Sequence, residues 1–165
     1  EIAEQAAEQG IAKADVLVCC GGGGLASGIA LALEAEAPGL SVRPAEPEGF
    51  DDMARSLRSG TIERNARLSG SICDAILTPQ PGSLTFPILA RLAGAGLVVS
   101  ETEVLNAIAL AFTRLKIVAE PGGVVALAAA LFHAGEIEGE DVIVTVSGGN
   151  VDASVFCMAL ERFAG

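Results

Sequence analysis

The chain has 165 residues, half of them apolar, a formal net charge of −11 and no Trp or Tyr. That length supports a domain with a buried core. The acidic balance and the lack of stacking aromatics exclude a phosphate-backbone or anionic-membrane partner, so neither nucleic acid nor membrane is expected. Arg55, Arg58, Arg64 and Arg67 cluster around Glu63 and read as a mixed solvated face.

The first residues, EIAEQAAEQG, read as the middle of a helix, with no signal peptide. ADVLVCC (14–20) predicts a short strand, apolar on both faces. GLASGIALALEAEA predicts a helix that stops at Pro38-Gly39, and LSVRPAEP (40–47) a second strand. DDMARSLRSG (51–60) is a short polar helix. DAIL (74–77) is a candidate strand and TPQPGSLTFPI a loop. GLVVS (96–100) is a strand, after which Ser100 and Glu103 form a capping box. Val104, Ile108, Ala111 or Phe112, and Leu115 then recur at helical spacing, ending at Glu120-Pro121. Residues 122–135 predict a small-residue helix, DVIVTVS (141–147) the most apolar strand, and Asp152 to Phe163 a closing helix. Alternating buried strands and helices predict an α/β fold with a parallel, doubly wound sheet, as one domain over 1–165.

Two glycine sites stand out. The first is CGGGGLASG, a strand, a glycine run and a helix start. It presents backbone N–H groups at a positive helix end and suits an anionic phosphate. Gly21-x-Gly23-x-x-Ala26, with Glu46 some way on, also fits a loose dinucleotide fingerprint, so spacing alone leaves an NAD-binding Rossmann domain open. The second is VTVSGGNVD, which puts Ser147 at the carboxyl end of a strand, where ligands of parallel sheets bind. Cys19, Cys20, Cys73 and Cys157 form no C-x-x-C pair and read as core thiols of a reducing compartment, the cytoplasm. His133, in the last turn of its helix, reads as a helix-end residue.

CGGGGLASG, AEPEGFDD, ICDAILTPQPGSLTFPI, KIVAEPGGVVALAA and VTVSGGNVD together, in this order, resemble the serine/threonine dehydratases and serine racemases. These are fold-type II, tryptophan synthase β-like enzymes that use pyridoxal 5′-phosphate (PLP). The resemblance implies that Gly21, Gly22, Gly23, Gly24 and Leu25 hold the PLP phosphate through their amides. It places Ser147 on the pyridine nitrogen and Glu120 near the cofactor ring. Glu46, Phe50 (by its carbonyl) and Asp52 match a divalent-cation site, and hard oxygen ligands suit Mg²⁺ or Ca²⁺.

The resemblance also implies that the chain is the C-terminal part of the large domain of such an enzyme, of the short catabolic or racemase-like type. The two lysines, Lys13 and Lys116, lie outside the Ser-x-Lys context of the family's Schiff-base lysine. The expected partners are a small amino-acid substrate in the parent enzyme, the missing N-terminal half, and a second copy in a homo-oligomer. The implied reaction is β-elimination of L-threonine or L-serine to a 2-oxoacid and ammonia, by a polypeptide inactive alone. A serine racemase, a 3-hydroxyaspartate ammonia-lyase and a non-catalytic partner-binding domain are the other expectations.

Overall fold

A computed structural model describes residues 1–164. Its centre is a four-stranded parallel sheet of order β3-β2-β1-β4, with β1 at Ala14–Cys19, β2 at Leu40–Pro47, β3 at Leu97–Val99 and β4 at Val142–Val144. Ala14 to Cys19 of β1 run beside Leu40 to Ala45 of β2. Both strands are buried over most of their length, so their apolar residues alternate between two cores.

One core holds Val16, Val18 and Cys20 of the β1 region, against α1 (Ile2–Glu8), α2 (Gly24–Glu36), α3 (Asp52–Ser59) and α4 (Thr85–Leu92). The other holds Leu17 and Cys19, against α5 (Glu101–Leu110), α6 (Val125–Phe132) and α7 (Ala153–Ala164). This is the doubly wound arrangement expected from the sequence.

Several local expectations change. DAIL is not a strand: Asp74–Ile76 form a 3₁₀ turn, whose Ile76 carbonyl lies 2.9 Å from where a Cβ on Gly21 would stand. The expected loop after it contains helix α4 from Thr85. Pro87 sits in the first turn of that helix, where its missing N–H would have had no intrahelical acceptor. The capping box is present: Glu103 N–H donates to Ser100 Oγ at 3.3 Å, and Ser100 N–H to Glu103 Oε2 at 2.7 Å. The helix it starts leaves α geometry after Leu110 and closes through a π turn, Ala111–Leu115. Lys116 then turns left-handed at φ 63°.

The strand expected over 141–147 is only Val142–Val144, and Val142 is exposed. It pairs with β1 alone, at the sheet edge, and its outer side faces no strand among the described residues. Cys157 is exposed, so only Cys19, Cys20 and Cys73 are core thiols.

His133 caps α6 and joins two elements. Its Nδ1 lies 2.7 Å from Glu136 Oε1, and its Nε2 is 3.2 Å from Glu103 Oε1, out of hydrogen-bond alignment. The bond to Glu136 is the main cause of an imidazole pKa raised above its usual value, with Glu103 adding to it against partial burial. A raised folded-state pKa gives stability that is complete below the unfolded value near 6.5 and is lost as pH rises through the folded value. His133→Gln should therefore cost a few tenths to about 1 kcal/mol at pH 5.5 and almost nothing at pH 8.5, read from urea midpoints. An equal cost at both pH values would contradict the ion-pair origin.

Candidate active site

The glycine loop lies at the carboxyl edge of β1. Gly23 is the N-cap of α2 with φ 89°, a left-handed conformation that side chains disfavour. A Cβ there would stand 2.7 Å from Met53 Cε and 2.9 Å from Thr85 Oγ1. The loop is thus packed from behind at Gly23, as it is at Gly21 by Ile76 O, and these two positions have room only for glycine. In front, the N–H groups of Gly24, Leu25 and Ala26 have no intrahelical acceptor, and no side chain caps the helix. No acidic residue stands in the first turn of α2 to neutralise its positive end. Leu25 is half exposed at that end.

The loop is also held from below by a segment in which the sequence predicts no regular structure. Gly22 O accepts from Gly82 N–H at 3.0 Å and from the Thr85 hydroxyl. The Gly22 carbonyl is thereby turned back onto the start of α4. Gly82 and Thr85 lie in the quoted PGSLTF stretch, but nothing local in it signals a contact with Gly22.

Ser147 reaches the same strand end. Its N–H donates to Gly123 O at 3.1 Å. Burial pushes the Cys19 thiol pKa up, and the Ala126 backbone and the Ser147 and Thr145 side chains oppose that rise. Thr145 N–H donates to Leu17 O at 3.0 Å and Cys19 Sγ to Thr145 O at 3.6 Å, so the segment leading to Ser147 runs beside the end of β1, just before the glycine run. The loop carrying it is held by Glu120, whose Oε2 accepts from Asn150 N–H at 2.9 Å and whose N–H donates to Gly148 O at 3.0 Å. A Cβ on Gly148 would overlap the Glu120 carboxylate. Glu120 thus acts on the serine loop through that loop's backbone.

The acidic pair lies behind the glycine loop, between β2 and α3. Glu46 is fully buried. It accepts Met53 N–H at 3.0 Å and Ala54 N–H at 2.7 Å, capping α3 from the strand. Burial raises its pKa well above the usual range, against those two bonds. Asp52 is also buried. One oxygen, Oδ1, accepts from Asn65 at 2.5 Å, while Oδ2 has no partner. Burial pushes its pKa up to about 6, against the Asn65 bond. The Phe50 side chain is buried between these residues in sequence, with the Arg67 guanidinium 5.9 Å from its ring centroid. Asp52 Oδ2 is an orphaned, buried carboxylate oxygen near a second buried acid, a donor pair of the hard-oxygen kind that divalent cations take, although among the described residues no group of three His, Cys, Asp or Glu side chains gathers as a metal site. The same burial removes Glu46 from the ribose role of the dinucleotide expectation, since it faces α3.

Residues 1–149 match the family described as pyridoxal-phosphate dependent enzyme. The chain belongs to that family. Among its relatives, an L-threonine ammonia-lyase of Thermotoga maritima is 34% identical over 147 residues, covering 89% of this chain and 36% of that protein. A serine racemase of Dictyostelium discoideum is 38% identical over 142 residues, covering 84% of this chain and 44% of that protein. Among solved structures, a threonine deaminase from T.th. superposes with a TM-score of 0.86 at 40% identity, over 92% of this chain and 50% of that one. This member of the pyridoxal-phosphate dependent enzymes therefore spans about half or less of the length of these relatives. Membership implies a pyridoxal-phosphate cofactor in place of a dinucleotide. Among the described residues, no helix is long and apolar enough to cross a membrane.

Proposed function

We propose that the chain is the cofactor-cradling part of a cytoplasmic PLP-dependent lyase that removes water and then ammonia from a β-hydroxy amino acid, L-threonine or L-serine. The observation that carries this is the glycine loop, packed from behind at Gly23 by Met53 and Thr85 and open at Gly24, with the segment that leads to Ser147 bonded alongside the end of β1. The amides from Gly21 to Leu25 would hold the phosphate and the Ser147 hydroxyl the ring nitrogen, with Glu120 fixing the serine loop. A neutral hydroxyl does not hold that nitrogen as a full cation, which suits α-proton loss followed by departure of a β-hydroxyl. When bound, PLP supplies the electron sink for that chemistry. Glu46, the Phe50 carbonyl and Asp52 would hold Mg²⁺ or Ca²⁺. Either cation should raise the melting temperature, and Glu46→Ala should remove that rise whatever its own starting value; no shift at millimolar cation would contradict the site.

The covalent link to the cofactor and the removal of the α-proton both need an amine. Lys13 precedes β1, at the amino end of the sheet and away from the glycine loop. Lys116 closes the π turn, with Nζ donating to Thr113 O at 2.7 Å. The 165-residue chain with PLP and L-threonine or L-serine should accordingly release no 2-oxoacid or ammonia. Measurable release would overturn this. Relatives named for ammonia-lyase and for racemase match comparably, so a complete protein should be assayed for inversion of L-serine as well.

The same reading supports association, with an N-terminal half or a second copy. Leu84 is 82% exposed and Val118 52%, and the outer edge of β4 carries unpaired backbone groups. Sedimentation should show self-association at micromolar concentration; a well-behaved monomer would contradict the homo-oligomer.

A further inference from the structure

Asn65 lies where the acidic pocket meets the glycine loop. It is only 9% exposed. Its Nδ2 donates to Asp52 Oδ1 at 2.5 Å and to Thr78 O at 2.8 Å, and its Oδ1 accepts from Arg55 Nη2 at 2.6 Å. Its backbone N–H donates to Pro79 O at 2.9 Å. These partners fix the amide in one orientation, because a flip would set its carbonyl against a carboxylate and a second carbonyl.

The segment that Asn65 grips is the one that holds the phosphate loop. Three residues beyond Pro79, Gly82 N–H reaches Gly22 O, and Thr85 donates to the same oxygen. Thr78 Cγ2 lies 3.8 Å from where a Cβ on Gly22 would stand. A continuous bonded path therefore runs from Asp52 through the Asn65 amide and residues 78–85 to Gly22. At its start, two buried oxygens on residues bonded to Asn65 have no partner: Asp52 Oδ2 and Thr78 Oγ1. Among the described residues nothing pairs with Asp52 Oδ2. A cation bound there would fix that carboxylate, and with it the amide and the segment that sets the Gly22 carbonyl.

We propose that Asn65 is a positioning residue that couples the two sites, so that a divalent cation at Glu46, Phe50 and Asp52 tightens phosphate binding at Gly21 to Leu25. This rests on the cation and cofactor reading given above. Linkage then requires the bound phosphate compound to tighten the cation by the same factor.

The probe is pyridoxamine 5′-phosphate, which carries the phosphate and ring nitrogen of PLP but no aldehyde to react with Lys13 or Lys116. Its dissociation constant is measured on the 165-residue chain with excess Ca²⁺ and with a chelator. Ca²⁺ affinity is then measured with and without the probe. Both constants should improve by a common factor of about five or more. Asn65→Ala should bring that factor close to one while each ligand still binds. Thr85→Val, at the far end of the path, should lower the factor and leave Ca²⁺ affinity without the probe unchanged, which keeps the test open if Asn65→Ala does not fold. Two ligands that bind independently in the wild-type chain would overturn the coupling and leave the site reading intact. An undiminished factor in Asn65→Ala would overturn the role of Asn65. No Ca²⁺ binding at all would overturn both the coupling and the cation site.

Discussion

Gly23→Ala should abolish retention of a phosphorylated pyridoxal compound while leaving the chain folded. Two costs act together. A side chain at φ 89° pays the left-handed penalty of about 1–2 kcal/mol. The new Cβ must also displace Met53 Cε or Thr85 Oγ1, which would stand 2.7 and 2.9 Å away. Moving Thr85 releases one of the two donors on Gly22 O, so the loop shifts and its amides no longer converge. Losing two charge-assisted bonds of about 1.5–3 kcal/mol each weakens binding by about 100-fold or more. Gly28→Ala is the control: it lies mid-helix in α2 with nothing within 4 Å of its Cβ position. It should bind normally and gain up to about 1 kcal/mol of stability from helix propensity. Equal binding by Gly23→Ala and Gly28→Ala would show that the loop does not hold the phosphate.

Arg43→Leu should be the most destabilising single change on the sheet, by about 3–5 kcal/mol, because it leaves buried partners uncompensated. Arg43 is 8% exposed, in the middle of β2. Its Nε donates to Ala95 O at 2.9 Å, its Nη1 to Glu136 O, and Nη1 lies 3.3 Å from Asp15 Oδ2. One guanidinium thus ties the start of β1, the loop before β3 and the turn after α6 into one cluster. A loss of that size is a large share of the roughly 5–15 kcal/mol that holds a domain together. The urea midpoint should fall with an unchanged slope. A cost below about 1 kcal/mol would mean that water replaces the guanidinium.

The glycine loop was legible in the sequence because its constraint is local: a left-handed residue at a helix entry admits little but glycine. The Ser100–Glu103 capping box was legible for the same reason, its partners being three residues apart. Strands β1 and β2 were legible because both their faces are buried. The errors fall where distant contacts override local pattern. DAIL has strand composition, but Ile76 is held in a 3₁₀ turn under Gly21. TPQPGSLTFPI reads as a loop, yet α4 begins within it at Thr85, and Pro87 sits in the first turn, where it breaks nothing. The run 141–147 reads as the most apolar strand and yields three strand residues at the sheet edge. Asn65 carried no signal at all, since its side-chain partners include Asp52 and Thr78, each thirteen positions away.

The central claim is that this chain holds the phosphate of a pyridoxal cofactor in its glycine loop. A fluorescence titration of the chain with pyridoxamine 5′-phosphate, with pyridoxamine and with NAD tests it most directly. The phosphorylated compound should bind saturably and be displaced by inorganic phosphate, while pyridoxamine and NAD bind at least about tenfold more weakly, the loss of a single hydrogen bond to a charged group. Equal binding of pyridoxamine with and without its phosphate, or binding of NAD alone, would contradict the claim.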